Sequence, residues 1–225
     1  AMPQQDGHEA QIYIGPAALC PCPETDGPYL VITGDQEPWA LQLIQEKTKR
    51  RKSQNIAIRQ NTIGKPGTTK EWFTYSQRSL NGTNNIGVIN WANPTWNIRT
   101  NGSKRVNNEK LETILEETNL SQHYFHLSIA QGDPHLTLKR NKNALQNCLS
   151  VDLSLHPFAL VWAKSISIYL KEQGFSNEAE QKLLWIKPTT SRDEQQPQIK
   201  PLAEPSESEK FLHPTVRTLC QFINP

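Results

Sequence analysis

The side chains able to do chemistry are few, and they fall near the ends of apolar runs. Asp35 follows Thr33-Gly34, where a carboxylate could accept hydrogen bonds from a ligand's hydroxyl groups. Pro38 then opens a helix, so the plainer reading of Asp35 is a turn or capping residue. Gln131-Gly132-Asp133-Pro134 closes a second apolar run. Asp133 is suited to cap the first free N–H groups of a helix, and Pro134 suits its first position. His126, His135 and His156 are placed by the pattern around the carboxyl edge of two successive strands. They could act as acid–base groups because imidazole titrates near neutral pH. No nucleophile or paired carboxylate accompanies them, so polar loop residues are the simpler account. Cys20-Pro21-Cys22 lacks a second pair of cysteines or histidines at ligand spacing, so no metal site is expected. Lys47 to Lys52 holds five cations in six residues. They could meet phosphate, or simply complement the dipole at a helix C-terminus. Trp72, Phe73, Tyr75, Trp91 and Trp96 could stack on sugar rings or pack a core and lid.

Composition limits the setting for these groups. With 225 residues the chain is one large domain, or a domain with an appended tail. A hydrophobic share of 36% with 16 prolines is low, yet the apolar residues come in blocks that can build a core. A net charge of +2 gives no general pull toward nucleic acid or acidic lipid. Four cysteines in a chain this long do not suggest a disulfide framework. Neither a signal peptide nor a membrane span is expected, which makes the cytoplasm the default location.

The elements that must position the candidates read as strands alternating with helices. Strands are predicted at 11–15, 29–33, 55–59, 71–76, 124–130, 149–155 and 182–187. Helices are predicted from Pro38, from a cap at Asn107 or Asn108, from Pro134, and from Pro157 to Gly174. Residues 79–103, rich in Asn, Gly and Thr, read as a long and partly ordered insertion. The spacing predicts a three-layer α/β domain over 10–187 with a mostly parallel, Rossmann-like sheet. Its first βα unit is shortened, because only about a dozen residues separate Gly15 from the second strand. A Pro-, Glu-, Gln- and Ser-rich linker is predicted at 188–209. Residues 210–225 would form a short helix docking back through Val216, Leu219, Phe222 and Ile223.

The order of elements, with Trp72-Phe73-Thr74-Tyr75-Ser76-Gln77-Arg78-Ser79-Leu80-Asn81-Gly82 and Gln131-Gly132-Asp133-Pro134, resembles the FkbM-type methyltransferase-like proteins common in cyanobacteria. The likeness runs from about Ile12 to Phe175. It implies a fold that binds S-adenosylmethionine and methylates a hydroxyl, often on a sugar or polyketide. Three pieces are then expected: a glycine-rich turn after strand one, an acid after strand two for the ribose, and an acid in a D-x-x-G turn. Gly15 stands at the first place without the rest of the loop, and Asp35 matches the second. Ile129, Ala130 and Gln131 precede Gly132, so the third carboxylate is missing. Gly15, Asp35, Gln131 and Asp133 are therefore the candidate cofactor-binding residues, and no catalytic residue is assigned. The leading expectation is a degenerate relative without cofactor, in a binding or accessory role, in the setting of bacterial surface-glycan assembly. A sugar or nucleotide-type ligand is expected, with no nucleic acid and no identifiable protein partner. One alternative is an active O-methyltransferase holding S-adenosylmethionine through the Pro16–Gly27 loop and Asp35. The other is an interaction module whose surfaces are 79–103 and the tail.

Overall fold

Strand β1 (Ala10–Ile14) passes through a three-residue 3-10 turn at Ala17–Leu19 into β2 (Tyr29–Ile32). Helix α1 (Pro38–Lys49) returns the chain to β3 (Ile56–Arg59). An excursion follows, made of β4 (Thr62–Ile63), β5 (Thr69–Tyr75), α2 (Ile86–Ala92) and β6 (Thr100–Glu109). Helix α3 (Leu111–Glu117) leads to β7 (Phe125–Ile129), α4 (Pro134–Arg140), β8 (Cys148–Asp152), α5 (Ala159–Glu172) and β9 (Leu184–Ile186). These elements come from a computed structural model that describes residues 9–49, 55–92, 94–95, 97–177 and 183–188. The linker predicted beyond Pro188, the predicted terminal helix, Arg50 to Lys52, Trp96 and Cys220 lie outside the described residues. The elements from β1 to β9 belong to one unit that ends at Lys187.

The main sheet has six strands in the order β3-β2-β1-β7-β8-β9, parallel except for β9, which pairs antiparallel with β8. Every residue of β2 is buried, as its unbroken Tyr-Leu-Val-Ile run requires of a strand covered on both faces. On one face Ile12, Leu127 and Val151 pack with Leu111 and Ile114 of α3, Leu138 of α4, and Ile166 and Leu170 of α5. On the other, Tyr13 and Val31 pack with Ala40 and Ile44 of α1 and with Ala17 and Leu19 of the 3-10 turn. Burying a large aliphatic side chain stabilises by roughly 1.5–3 kcal/mol, so these two layers supply the core. No helix among the described residues is long and apolar enough to cross a membrane.

Two expectations need correction. The stretch 79–103 contains a helix and the start of a strand. Strand β6 was hidden because it pairs antiparallel with β5 while its first six residues are exposed, leaving only Val106 and Asn108 buried. That leaves no alternation to read. Asn107 and Asn108 belong to β6 and do not cap α3. Asn108 instead exchanges side-chain hydrogen bonds with Thr62 and Thr68. The free N–H of Leu111 at the start of α3 is met by Asn141 Oδ1 at 2.9 Å, from thirty positions away.

Candidate functional site

The strand order reverses between β1 and β7, and in open α/β sheets ligands bind outside the carboxyl ends of the strands at such a point. Three loops meet there: Gly15-Pro16-Ala17 after β1, Thr33-Gly34-Asp35 after β2, and Ala130 to Asp133 after β7.

Asp35 is wholly buried. Its Oδ2 accepts from the Ala17 N–H at 2.8 Å. Its Oδ1 accepts from Trp72 Nε1 at 3.0 Å and from Asn81 Nδ2 at 2.8 Å. Three N–H donors are what an ionised carboxylate requires when it leaves water. Burial raises its pKa, Glu37 adds to the rise, and the bonds from Ala17, Asn81 and Trp72 work against it. The plain reading of Asp35 as a local cap therefore fails, since its partners come from two other parts of the chain. Both oxygens that could face a ligand are turned to the protein's own donors.

Trp72 is the largest of those partners and is 1% exposed. Its ring lies so close to the backbone of Gly34 that a Cβ there would fall 2.1 Å from a ring carbon. Asn81 adds a second tie, accepting the Tyr75 N–H at 2.9 Å through Oδ1. The Tyr75 hydroxyl donates to the Asn84 carbonyl at 2.6 Å. Strand β5 and the turn after it thus lie across the ends of β1 and β2. Gly15 serves a close approach too: a side chain there would meet the Tyr13 hydroxyl and the Ala130 methyl at 2.5 and 2.8 Å.

The loop after β7 borders a small, solvent-open cleft that encloses about 30 Å³. Asp133 caps α4, accepting the Leu136 N–H at 2.9 Å. Gly132 has φ +69°, a left-handed conformation that favours glycine. Gln131 is 8% exposed, and its Oε1 has no hydrogen-bond partner. Lys70 of β5 and Arg140 of α4 line the same cleft, with Thr83 and Thr137. Partial desolvation, then the nearby Arg140, lower the pKa of the Lys70 ammonium, while Asp133 opposes them.

The three histidines are not brought together. His126 is the second residue of β7, at the amino edge rather than the expected carboxyl edge, with its ring between Ser150 Oγ and Glu9 Oε2 at 2.7 and 2.8 Å. His135 lies in α4, edge-on to Tyr169. His156 is 4% exposed. Its Nδ1 accepts the Phe158 N–H at 3.0 Å, so Nε2 carries the proton and donates to the Gly132 carbonyl at 3.1 Å. Burial pushes it down from 6.5 to about 4. It is a neutral strut beneath the Gln131-Gly132-Asp133 loop.

Cys20 is buried, its thiol 3.2 Å from the Tyr29 hydroxyl and pushed up to about 11 by burial, while Cys22 is exposed. Among the described residues no three His, Cys, Asp or Glu side chains are placed to hold a metal. Lys47, first of the basic run, donates to the carbonyls of Ala18 and Cys20 and so ties α1 to the loop after β1. The aromatic stretch divides: Trp72 and Tyr75 are core, whereas Trp91 is 76% exposed. Lys70 and Arg140 carried no sequence signal, and Asn81 stood out only as part of the Trp72-to-Gly82 stretch. Each gains its role from a neighbour in another element.

These features define a mixed α/β protein with a mostly parallel six-stranded sheet, compatible with a Rossmann-like fold. Compared with known proteins, the chain matches no family, no curated protein and no solved structure.

Proposed function

We propose that the chain is a methyltransferase-like domain whose cofactor crevice has been taken over by its own β5 strand and turn, leaving a binding or accessory protein rather than a working transferase. The observation that carries this reading is the saturated Asp35 carboxylate. A ribose hydroxyl would have to displace Trp72 Nε1, Asn81 Nδ2 or the Ala17 N–H, each already paired. Removing one partner of a buried charged hydrogen bond costs the full desolvation of the group left behind. Two further features support it. The first βα unit holds only a 3-10 turn, and no carboxylate precedes Gly132. On this reading the residues at the crevice do not fit S-adenosylmethionine, and no transfer step is assigned to them. Calorimetric titration of the full chain with S-adenosylmethionine and with its demethylated product is expected to be flat. Saturable binding of either, abolished by Asp35→Ala in a variant that is still folded, would overturn this reading and favour the active transferase instead.

A second reading, a protein-contact module, is favoured by one observation. Trp91 and Val88 are 76% and 42% exposed three residues apart, on one side of α2. Isolated apolar residues on a surface are ordinary, but an exposed tryptophan beside another apolar group is a common contact anchor. Light scattering with Trp91→Ser tests it: loss of an assembly present in the parent chain supports the module, and an unchanged monomer speaks against it.

A further inference from the structure

The cleft beside the loop after β7 is lined by groups other than those that fill the crevice, and its Lys70, Arg140 and Gln131 side chains have no role in anything described so far. Lys70 and Arg140 approach each other across it, and neither has a carboxylate within salt-bridge distance among the described residues. Two like charges brought together repel, and the nearby Asp133 carboxylate offsets that only in part for Lys70, so an anion between the two cations would be stabilised by both. Arg140 adds a planar fork of donors, which suits the oxygens of phosphate, and Thr83 lines the same cleft, while the Thr137 hydroxyl is already donated to the Asp133 carbonyl.

The second feature is of the opposite kind. Gln131 lines the cleft more than nine-tenths buried, with an acceptor oxygen that nothing in the protein satisfies. Such groups are rare in folded proteins because each costs desolvation without return. Asp133 also borders the cleft, with Oδ1 committed to the Leu136 N–H. A bare phosphate would leave the Gln131 oxygen unpaired. A ligand that brings both an oxyanion and hydroxyl donors would meet all four groups.

We propose that this cleft binds a small polyhydroxylated oxyanion, a sugar phosphate in its simplest form, with Lys70 and Arg140 on the oxyanion and Gln131 Oε1 accepting from a ligand hydroxyl. The inference gives the binding role a ligand class and rests on that reading only for its context. Its residues and probes differ from those of the S-adenosylmethionine titration, so failure of one is distinguishable from failure of the other.

The test is calorimetry, with amide shifts by NMR, on the full chain using glucose 1-phosphate, inorganic phosphate and glucose. Glucose 1-phosphate should bind, inorganic phosphate more weakly, and glucose not measurably. Lys70→Gln and Arg140→Gln, both at exposed positions and so tolerated by the fold, should each weaken glucose 1-phosphate by roughly tenfold or more. Gln131→Leu should weaken the sugar phosphate while leaving inorganic phosphate unchanged. The proposal is overturned by silence from every probe at millimolar concentration, or by binding that neither cation variant alters. Equal affinity for phosphate and sugar phosphate would overturn the role of Gln131, and binding of glucose alone would overturn the oxyanion.

Discussion

A carboxylate held out of water by three N–H groups has a different worth from one on a surface, because each donor is stranded if the acceptor leaves. Replacing Asp35 by Asn keeps the shape but turns one oxygen into a competing donor against Trp72, Asn81 or Ala17. Asp35→Asn should therefore lower stability by about 2–4 kcal/mol in urea unfolding. A loss below about 0.5 kcal/mol, typical of surface changes, would show that the carboxylate is not holding the structure. His156 gives a prediction in pH. Its pKa falls from 6.5 to about 4 on folding, so the folded state binds fewer protons between those values. Its contribution is whole above pH 6.5 and is lost as pH falls through 4, on the order of 3 kcal/mol. Asp35 and Asp152, whose pKa values are raised by burial, act in the opposite sense above their ordinary range. The pH-dependent difference between the parent chain and His156→Gln isolates the imidazole, and parallel urea midpoints from pH 7 to 4 would contradict the assignment. At this scale Asp133 was legible because a helix cap is a contact over three residues. Asp35 was legible as a carboxylate in a telling place, but not in what it binds, because no local pattern encodes a partner 37 or 46 positions away.

Strands β5 and β6 and the turn after β5 are attached to the rest of the domain by contacts of very unequal weight. Lys104 pairs with Glu37 at 3.0 Å, and the Arg78 guanidinium lies 4.3 Å above the Trp39 ring. Exposed pairs of the first kind contribute about 0–1 kcal/mol, so the buried Trp72–Gly34–Asp35 contact dominates. Gly34→Ala should force the indole away from its seat, at a cost of about 1–3 kcal/mol or more. The measurement is urea stability together with near-ultraviolet circular dichroism, where a displaced tryptophan changes the spectrum. An unaltered spectrum and midpoint would mean that the ring has room to yield. The sequence announced β5 through its alternating aromatics. It was silent on β6, which is paired through its backbone while its first six residues are exposed. Helix α3 was readable from Leu111, Ile114 and Leu115, but its start was misplaced because its first N–H is met by Asn141 and not by a neighbouring cap.

Across the whole molecule, the alternation of strands and helices conveyed the layered, mostly parallel sheet, since each apolar run must be covered on two faces to form. What it could not convey is how the carboxyl edge is finished, because that depends on an excursion of some fifty residues folding back over the loops. The result is an edge with one crevice occupied from within and one cleft left open beside it. The three donors that hold Asp35 lie 18, 37 and 46 positions along the chain, so each bond closes a long loop. Long-range contacts of this kind are expected to form late, after the cost of loop closure has been met by apolar packing in the sheet. Loss of the Asp35 carboxylate should then be felt almost wholly as faster escape from the native state, with the rate of refolding from urea nearly unchanged. The strap over the sheet would act as a latch on a door that has already swung shut, governing how long the protein stays folded rather than how quickly it gets there.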